Sequence, residues 1–221
     1  MKDFPIFTTQ FGTASLTLKQ IPYRGEAYIH VQDSLPDALK SLIAECAHFC
    51  RLAGAEKVYV TAPQGQGDVR ILEMRGVPAL DPDQIENIFP VTEQTVEKWR
   101  KIANERLRNV DLAGLLSKKD EEKILCSGGA YFIHRAGTLL GIGWLQEDTL
   151  KLLASVVPGA GYRVAQTILS VNPGQSVRLE VASTNHRAIA LYEKLGFLPV
   201  RELEAWREVS KEEEAEFLQE G

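Results

Sequence analysis

Residues 177–197, VRLEVASTNHRAIALYEKLGF, set a carboxylate, an amide and a phenol at Glu180, Asn185 and Tyr192. A carboxylate whose pKa is raised toward working pH can take a proton from a nucleophile, and a phenol can hand one to a leaving group. Each residue also has a quieter use. Glu180 can face solvent beside an Arg or Lys, and Asn185 can cap a helix. Tyr192, beside Leu191 and three residues before Leu195, can belong to a core.

The elements around these residues decide between the two uses. VRLEV reads as a strand with Val177, Leu179 and Val181 on one face and Arg178 and Glu180 on the other. A helix follows Asn185 and closes on Gly196. If helices cover both faces of the strand, a carboxylate there is costly without a partner or a task.

The chain has 221 residues, enough for one large domain or two small ones, with 44% hydrophobic and 25% charged residues. A net charge of -5 argues against nucleic acid as a partner. No apolar run approaches the roughly 18 residues of a membrane span, and MKDFPIFTTQ carries no signal-peptide apolar region. Cys46, Cys50 and Cys126 are too few for a disulfide framework, so a cytoplasmic location is expected.

Residues 13–32 read as two strands around PYRGE, 36–53 as an amphipathic helix and 57–62 as a strand. PQGQG is a loop, VRILEMRG a helix stopped by Gly76, and VPALDPDQ, with two prolines, a linker. A helix over 92–110 is capped by Thr92, and LLSKKDEEK is a polar connection or short helix. Strands AYFIHRAG, TLLGIGWLQ and TLKLLASVV follow, turning at Ala136-Gly137 and Glu147-Asp148. After PGAG comes the helix YRVAQTILSVN, and after 197 an edge segment to Val209 and a solvated tail, KEEEAEFLQE. Helix, three strands, helix, strand, helix, strand is an α/β order with a helical crossover.

A gapless shift of 120 positions lays residues 56–78 over 176–198, with Ala62 on Ala182, Glu73 on Glu193 and Gly76 on Gly196. Val60, Gly65 and Leu72 then stand where Glu180, Asn185 and Tyr192 stand. Residues 1–84 therefore read as an N-terminal α/β lobe that has lost all three candidate groups, and 85–221 as the working domain.

LEVASTNHRAIALYEKLGF resembles the second half of the Gcn5-related N-acetyltransferase (GNAT) superfamily, in its spacing most of all the ribosomal-protein-alanine N-acetyltransferases. The resemblance extends in element order over about 88–209. It implies a mixed, mostly antiparallel sheet flanked by helices, with the first lobe a degenerate GNAT-like half. It also implies acetyl-coenzyme A as co-substrate and direct acetyl transfer to a primary amine in a ternary complex. On this resemblance Glu180 is the base, Tyr192 protonates the departing thiolate and Asn185 touches the coenzyme A arm. Ala154, Ser155 and Val156 stand on a splayed strand whose amides meet the oxyanion and pair with the pantetheine.

Relatives place Arg/Gln-x-x-Gly-x-Gly/Ala at the next helix start, where unpaired amides and the helix dipole favour the pyrophosphate. Here VVPGAGYRVAQTIL departs from that pattern by one residue. The expected phosphate loop is Gly159, Ala160, Gly161, Tyr162, Arg163, Val164 and Ala165, with Arg163 adding a charge-assisted hydrogen bond.

Cys46 and Cys50 share a helix face while His48 points away, so the three are expected to be core rather than metal ligands. No metal is expected. His30, His134 and His186 are expected to be structural or at the surface, Glu147 and Asp148 a solvated turn, and Trp144 packing. A homodimer is compatible with the sequence. Two other readings remain open: an acyl-coenzyme A sensor without catalysis, and a fold remnant that binds nothing.

Overall fold

The computed structural model describes residues 3–220, and side chains as far as 215. In chain order its elements are β1 (Phe4–Thr9), β2 (Gly12–Thr17), α1 (Ile21–Arg24), β3 (Glu26–Ser34), α2 (Leu39–Leu52), β4 (Lys57–Thr61) and β5 (Val69–Gly76). A 3-10 turn (Pro82–Gln84) leads to β6 (Asn87–Pro90), α3 (Val96–Leu107), α4 (Asp120–Ser127), β7 (Ala130–Arg135), β8 (Thr138–Gln146) and β9 (Thr149–Ser155). Then come α5 (Gly161–Leu169), β10 (Val177–Ala182), α6 (His186–Lys194), β11 (Leu198–Glu208) and α7 (Lys211–Glu220).

These elements form two units, Met1–Arg70 with Glu204–Gly221, and Ile71–Leu203. The boundary differs from the expected 1–84 and 85–221. The chain passes from one unit to the other within β5, and returns within β11.

In the first unit β1, β2 and β3 form an antiparallel meander, α2 crosses over, and β4 lies parallel to β3. The last part of β11 pairs antiparallel with β4, Trp206 opposite Thr61. Helix α2 buries Leu42, Ile43, Cys46, Ala47 and Cys50 against Ala27, Ile29, Val58 and Val60. Burial pushes both thiols up to about 12, as suits core side chains rather than ligands. The tail is a helix, largely exposed over its described side chains and anchored through Glu214. Glu214 is 7% exposed, accepts from Arg51 Nε at 2.6 Å and lies 2.9 Å from His48 Nδ1.

In the second unit β6, β7, β8 and β9 run antiparallel, β10 is parallel to β9, and β5 is antiparallel to β10. Helices α5 and α6 cover one face, where Val164, Ile168 and Leu169 of α5 and Phe197 just past α6 are each fully buried. Each such apolar side chain stabilises the unit by roughly 1.5–3 kcal/mol. Helices α3 and α4 cover β7 to β9 on the other face, around Trp99, Ile124, Phe132 and Ile142. The N-cap of α3 is Thr95 rather than Thr92, whose carbonyl instead receives the Thr95 and Val96 amides.

Glycine in β8 sets how closely α5 approaches. A Cβ on Gly141 would stand 2.7 Å from Val164 Cγ2, and one on Gly143 2.7 Å from Ile168 Cγ1. Both are too short for real contacts, so GIG lets the helix lie directly on the strand.

VRILEMRG is the main departure from expectation. It forms β5, not a helix. Leu72, Glu73, Met74 and Arg75 favour helix intrinsically, but six positions of β10 pair with this segment and tertiary context overrides propensity. Its Gly76 abuts the Gly196–Phe197 turn, where a Cβ would meet Gly196 O at 2.5 Å. VPALDPDQ is also no free linker. Fully buried Gln166 of α5 donates to Ala79 O at 2.9 Å and accepts from the Asp81 amide at 2.8 Å.

Both units follow the same order of three antiparallel strands, a helix and a parallel strand. The shift of 120 positions lays Lys57–Thr61 of β4 on the start of β10. It fails beyond, because residues 69–76 are a strand and 186–194 a helix.

Candidate active site

The site is organised by a parting of strands. Pairing of β9 with β10 covers two positions, Thr149 with Arg178 and Leu150 with Leu179, after which β9 is hydrogen-bonded to β8 alone. Just past its end the Val156 and Val157 amides both reach Leu140 O, at 2.8 and 3.4 Å, which is a β-bulge. Ser155 lies opposite Gly141, one position before the Val156 bond. By the alternation of an antiparallel ladder, its N–H and C=O turn away from β8 into the gap.

At the mouth of that gap α5 begins. Gly159 has φ 80° and no heavy atom within 4 Å of the place a Cβ would take, so the backbone there is open to a ligand. The helix has no side-chain cap and no acidic residue in its first turn. Val164 N, 3.0 Å from Ala160 O, is the first helical amide bonded in this way, which leaves the amides of Gly161, Tyr162 and Arg163 facing outward. Such a helix start attracts anions.

Helix α6 closes the third side. A Cβ on Gly161 would stand 3.7 Å from Leu191 Cδ2 and 3.9 Å from Ser155 Oγ, so the end of β9, the start of α5 and the second half of α6 converge. Tyr192 follows Leu191. The residue is 8% exposed, and its ring packs on Phe197 with centroids 5.9 Å apart. Burial alone pushes the phenol up to about 12, so it stays protonated through the neutral range and keeps a proton to donate.

Glu180 lies on the opposite face of β10 from the side covered by α5 and α6. It is exposed, and carries no ion pair among the described residues. Its cross-strand neighbour is Glu73 of β5. Glu73 is 4% exposed and receives Arg75 Nε on one oxygen and Arg201 Nε and Nη2 on the other, the latter two at 3.0 and 2.8 Å. The hydrogen bonds from Arg75, then those from Arg201, hold the Glu73 carboxyl below the usual carboxylate range. Of the two acids only Glu180 is without an ion pair among the described residues, and so has its carboxylate open to an incoming proton.

Several expected cofactor residues are otherwise engaged. Val156 gives its amide to Leu140 O, and its carbonyl accepts from Arg106 Nη2 at 3.3 Å, so it is not available as an oxyanion donor. Arg163 turns its guanidinium to Glu86 Oε1 at 2.9 Å and Asp83 O at 3.2 Å, away from the helix start. Val164 and Ala165 are fully buried core residues, and Ala154 packs toward α3 and α4. Asn185 caps α6, its side-chain oxygen accepting from Ala188 N at 3.2 Å, with its amide NH2 left over.

Two cations that the sequence pattern did not flag approach the phosphate loop. Arg106, in the last turn of α3, is fixed at Val156 O. Lys194 of α6 sits 4.4 Å from the centroid of the Tyr162 ring, whose hydroxyl accepts from Gln166 Nε2. Both are non-local contacts that no motif announces. Asp148 is not a free acceptor-binding acid. The Thr149 hydroxyl and Arg178 hold it below the usual carboxylate range.

A curled mixed sheet with helices on both faces, strands that part beside a helix start, and a bulge at the end of the parting strand define the GNAT fold. Similar solved structures carry the same fold. The GCN5-related N-acetyltransferase from Sphaerobacter thermophilus is 11% identical over 88% of this chain and 75% of that one, with a TM-score of 0.51. A GNAT-family acetyltransferase from Colwellia psychrerythraea is 12% identical over 93% and 84%, with a TM-score of 0.50. A functionally unknown conserved protein from Staphylococcus epidermidis is 10% identical over 90% of both chains, with a TM-score of 0.54. No family model matches the chain, and no curated protein does. Among the described residues no helix is long and apolar enough to cross a membrane, and no group of three or more His, Cys, Asp or Glu is placed to hold a metal.

Proposed function

We propose that the second unit is an N-acetyltransferase that uses acetyl-coenzyme A as co-substrate and a primary amine as acceptor, by direct transfer. The observation that carries this is the gap between β9 and β10 opening directly onto the uncapped start of α5. Acetyl-coenzyme A supplies the activated acyl thioester. The outward face of Ser155 offers an amide and a carbonyl to the amide-bearing arm, much as a strand edge receives a peptide. The free amides of Gly161, Tyr162 and Arg163 suit the pyrophosphate, with Arg106 and Lys194 adding positive charge.

Glu180 accepts the proton that the attacking amine must lose, directly or through water. Tyr192, on the other side of the sheet, donates toward the leaving sulfur through the gap. In this reading the parting of β9 from β10 is what lets residues on opposite faces of the sheet serve one reaction. The ribosomal-protein-alanine subtype is one version of this reading.

The first unit supplies no second cofactor cleft in this scheme. There β3 and β4 stay paired over four positions, Glu26 to Ile29 with Lys57 to Val60, so no comparable gap opens. We read it as a decayed lobe of the same ancestry.

The test is calorimetric binding of acetyl-coenzyme A followed by thiol release with a library of amines. Binding with turnover supports the proposal. Binding without turnover on any amine supports the sensor instead, and no binding removes both.

A further inference from the structure

On the face of β10 that carries Glu180, two guanidiniums converge on one buried carboxylate. Arg178 and Glu180 of β10 lie opposite Arg75 and Glu73 of β5, and Arg201 of β11 joins them through Glu73. One guanidinium would neutralise Glu73. It has two, and acid and bases differ in exposure: the Glu73 side chain is 5% exposed, while those of Arg75 and Arg201 are 47% and 62% exposed. A buried carboxylate thus fixes the orientation of two guanidiniums whose outer N–H groups face solvent. Each guanidinium has five donors, and Glu73 uses one from Arg75 and two from Arg201. The remaining donors are presented beside the one unpaired acid of the cluster. Arg178 is less available, its Nε donating to Thr149 Oγ1 at 2.8 Å and its charge met by Asp148 at 3.4 Å.

We infer that Arg75 and Arg201, anchored by Glu73, form an anion subsite for the acceptor, which is a small primary amine carrying a carboxylate. The inference rests on the acetyltransferase reading above, and it names the substrate class. Spacing favours a small molecule. Directly opposed residues have Cβ atoms about 5 Å apart. Arg75 is the diagonal neighbour of Glu180 on this face, about 7–8 Å away, within reach of a long side chain, so an amine at Glu180 and a carboxylate at the guanidinium belong to one small molecule such as an amino acid. Guanidinium pairs carboxylates with two parallel hydrogen bonds, which would also set the amine's direction. The transferred bond is ordinary amide formation: the amine nitrogen bonds the acetyl carbon, the carbon–sulfur bond breaks, and the amine's proton leaves to Glu180.

The experiment compares free amino acids with their carboxamides as acceptors in thiol release with acetyl-coenzyme A. The carboxamide has the less basic, more readily deprotonated amine, so a preference for the acid runs against intrinsic reactivity. The expected result is about 10- to 100-fold higher kcat/KM for the acid. In Arg75→Gln and Arg201→Gln that ratio should collapse toward one through KM, and Arg201→Lys should restore part of it. Equal use of acid and amide by the native protein, or an unchanged ratio in both glutamine variants, overturns the inference. If no acceptor is turned over, thermal shifts with the same amino acids and coenzyme A decide the subsite alone. A shift lost in the glutamine variants keeps the anion subsite and sinks acetyl transfer, whereas no shift in the native protein sinks the subsite as well.

Discussion

Glu180 of β10 stands in register with Glu73 of β5, and only Glu73 is neutralised, by Arg75 and Arg201. Two like charges directly opposed across a sheet are destabilising unless one is compensated. The compensation divides their roles. Glu73 becomes a structural anion and Glu180 is left as the acid able to accept a proton.

Replacing Glu180 with Gln should lower kcat/KM for acetyl transfer by about 100- to 1000-fold. Affinity for acetyl-coenzyme A, measured by calorimetry, should stay within about twofold. The residue is exposed and carries no ion pair among the described residues, so folding should be unaffected.

Tyr192→Phe should lower kcat by about 10- to 100-fold while leaving acetyl-coenzyme A binding intact. The phenol's pKa rises from 10.0 to about 12 by burial, so its neutral form is the one the fold favours. Stability from this group is complete below its ordinary pKa and disappears as pH climbs through about 12. No loss of rate traceable to Tyr192 ionisation should therefore occur below about pH 10 in a pH–rate profile.

Glu73 has the opposite sign. Its carboxyl is held below the ordinary range, so its contribution is present above that range and vanishes as pH falls through the lowered value. Thermal unfolding followed against pH should show Glu73→Gln less stable than the native protein near neutrality. The gap between them should close on acidification below about pH 4.

Two arginines separate expectation from structure at the phosphate loop. Arg106→Ala should weaken acetyl-coenzyme A binding by about 5- to 20-fold, the worth of one charge-assisted hydrogen bond. Arg163→Ala should change it by less than about twofold, because Glu86 and Asp83 O already engage that guanidinium. Equal effects in a calorimetric titration would falsify this assignment.

Gly143→Ala tests the seat of α5. The added Cβ would lie 2.7 Å from Ile168 Cγ1, and displacing that helix should cost about 1–3 kcal/mol in denaturant unfolding. Because α5 also presents the amides of 161–163, acetyl-coenzyme A affinity should fall with stability.

Stretch 177–197 was legible because its information is local. Alternation gives β10, Asn185 caps α6 with its own side chain, and Gly196 takes φ 90° where the helix ends. The meander of β7, β8 and β9 and the helix α5 were readable for the same reason. VRILEMRG was not, since its residues fit a helix and only a partner strand some hundred positions away makes it β5.

The amino-acid order by itself thus determined which groups are present: an acid, an amide and a phenol at fixed spacing, and a glycine-bearing loop before a helix. Tertiary structure decided which of them are free to act. Arg201 reaches Glu73 across 128 positions, Arg163 is drawn to Glu86 and Val156 to Leu140, while Glu180 carries no ion pair among the described residues. A side chain's chemistry follows from its type, but its availability depends on hydrogen bonds to partners distant in sequence. Those partners meet only once the sheet has formed.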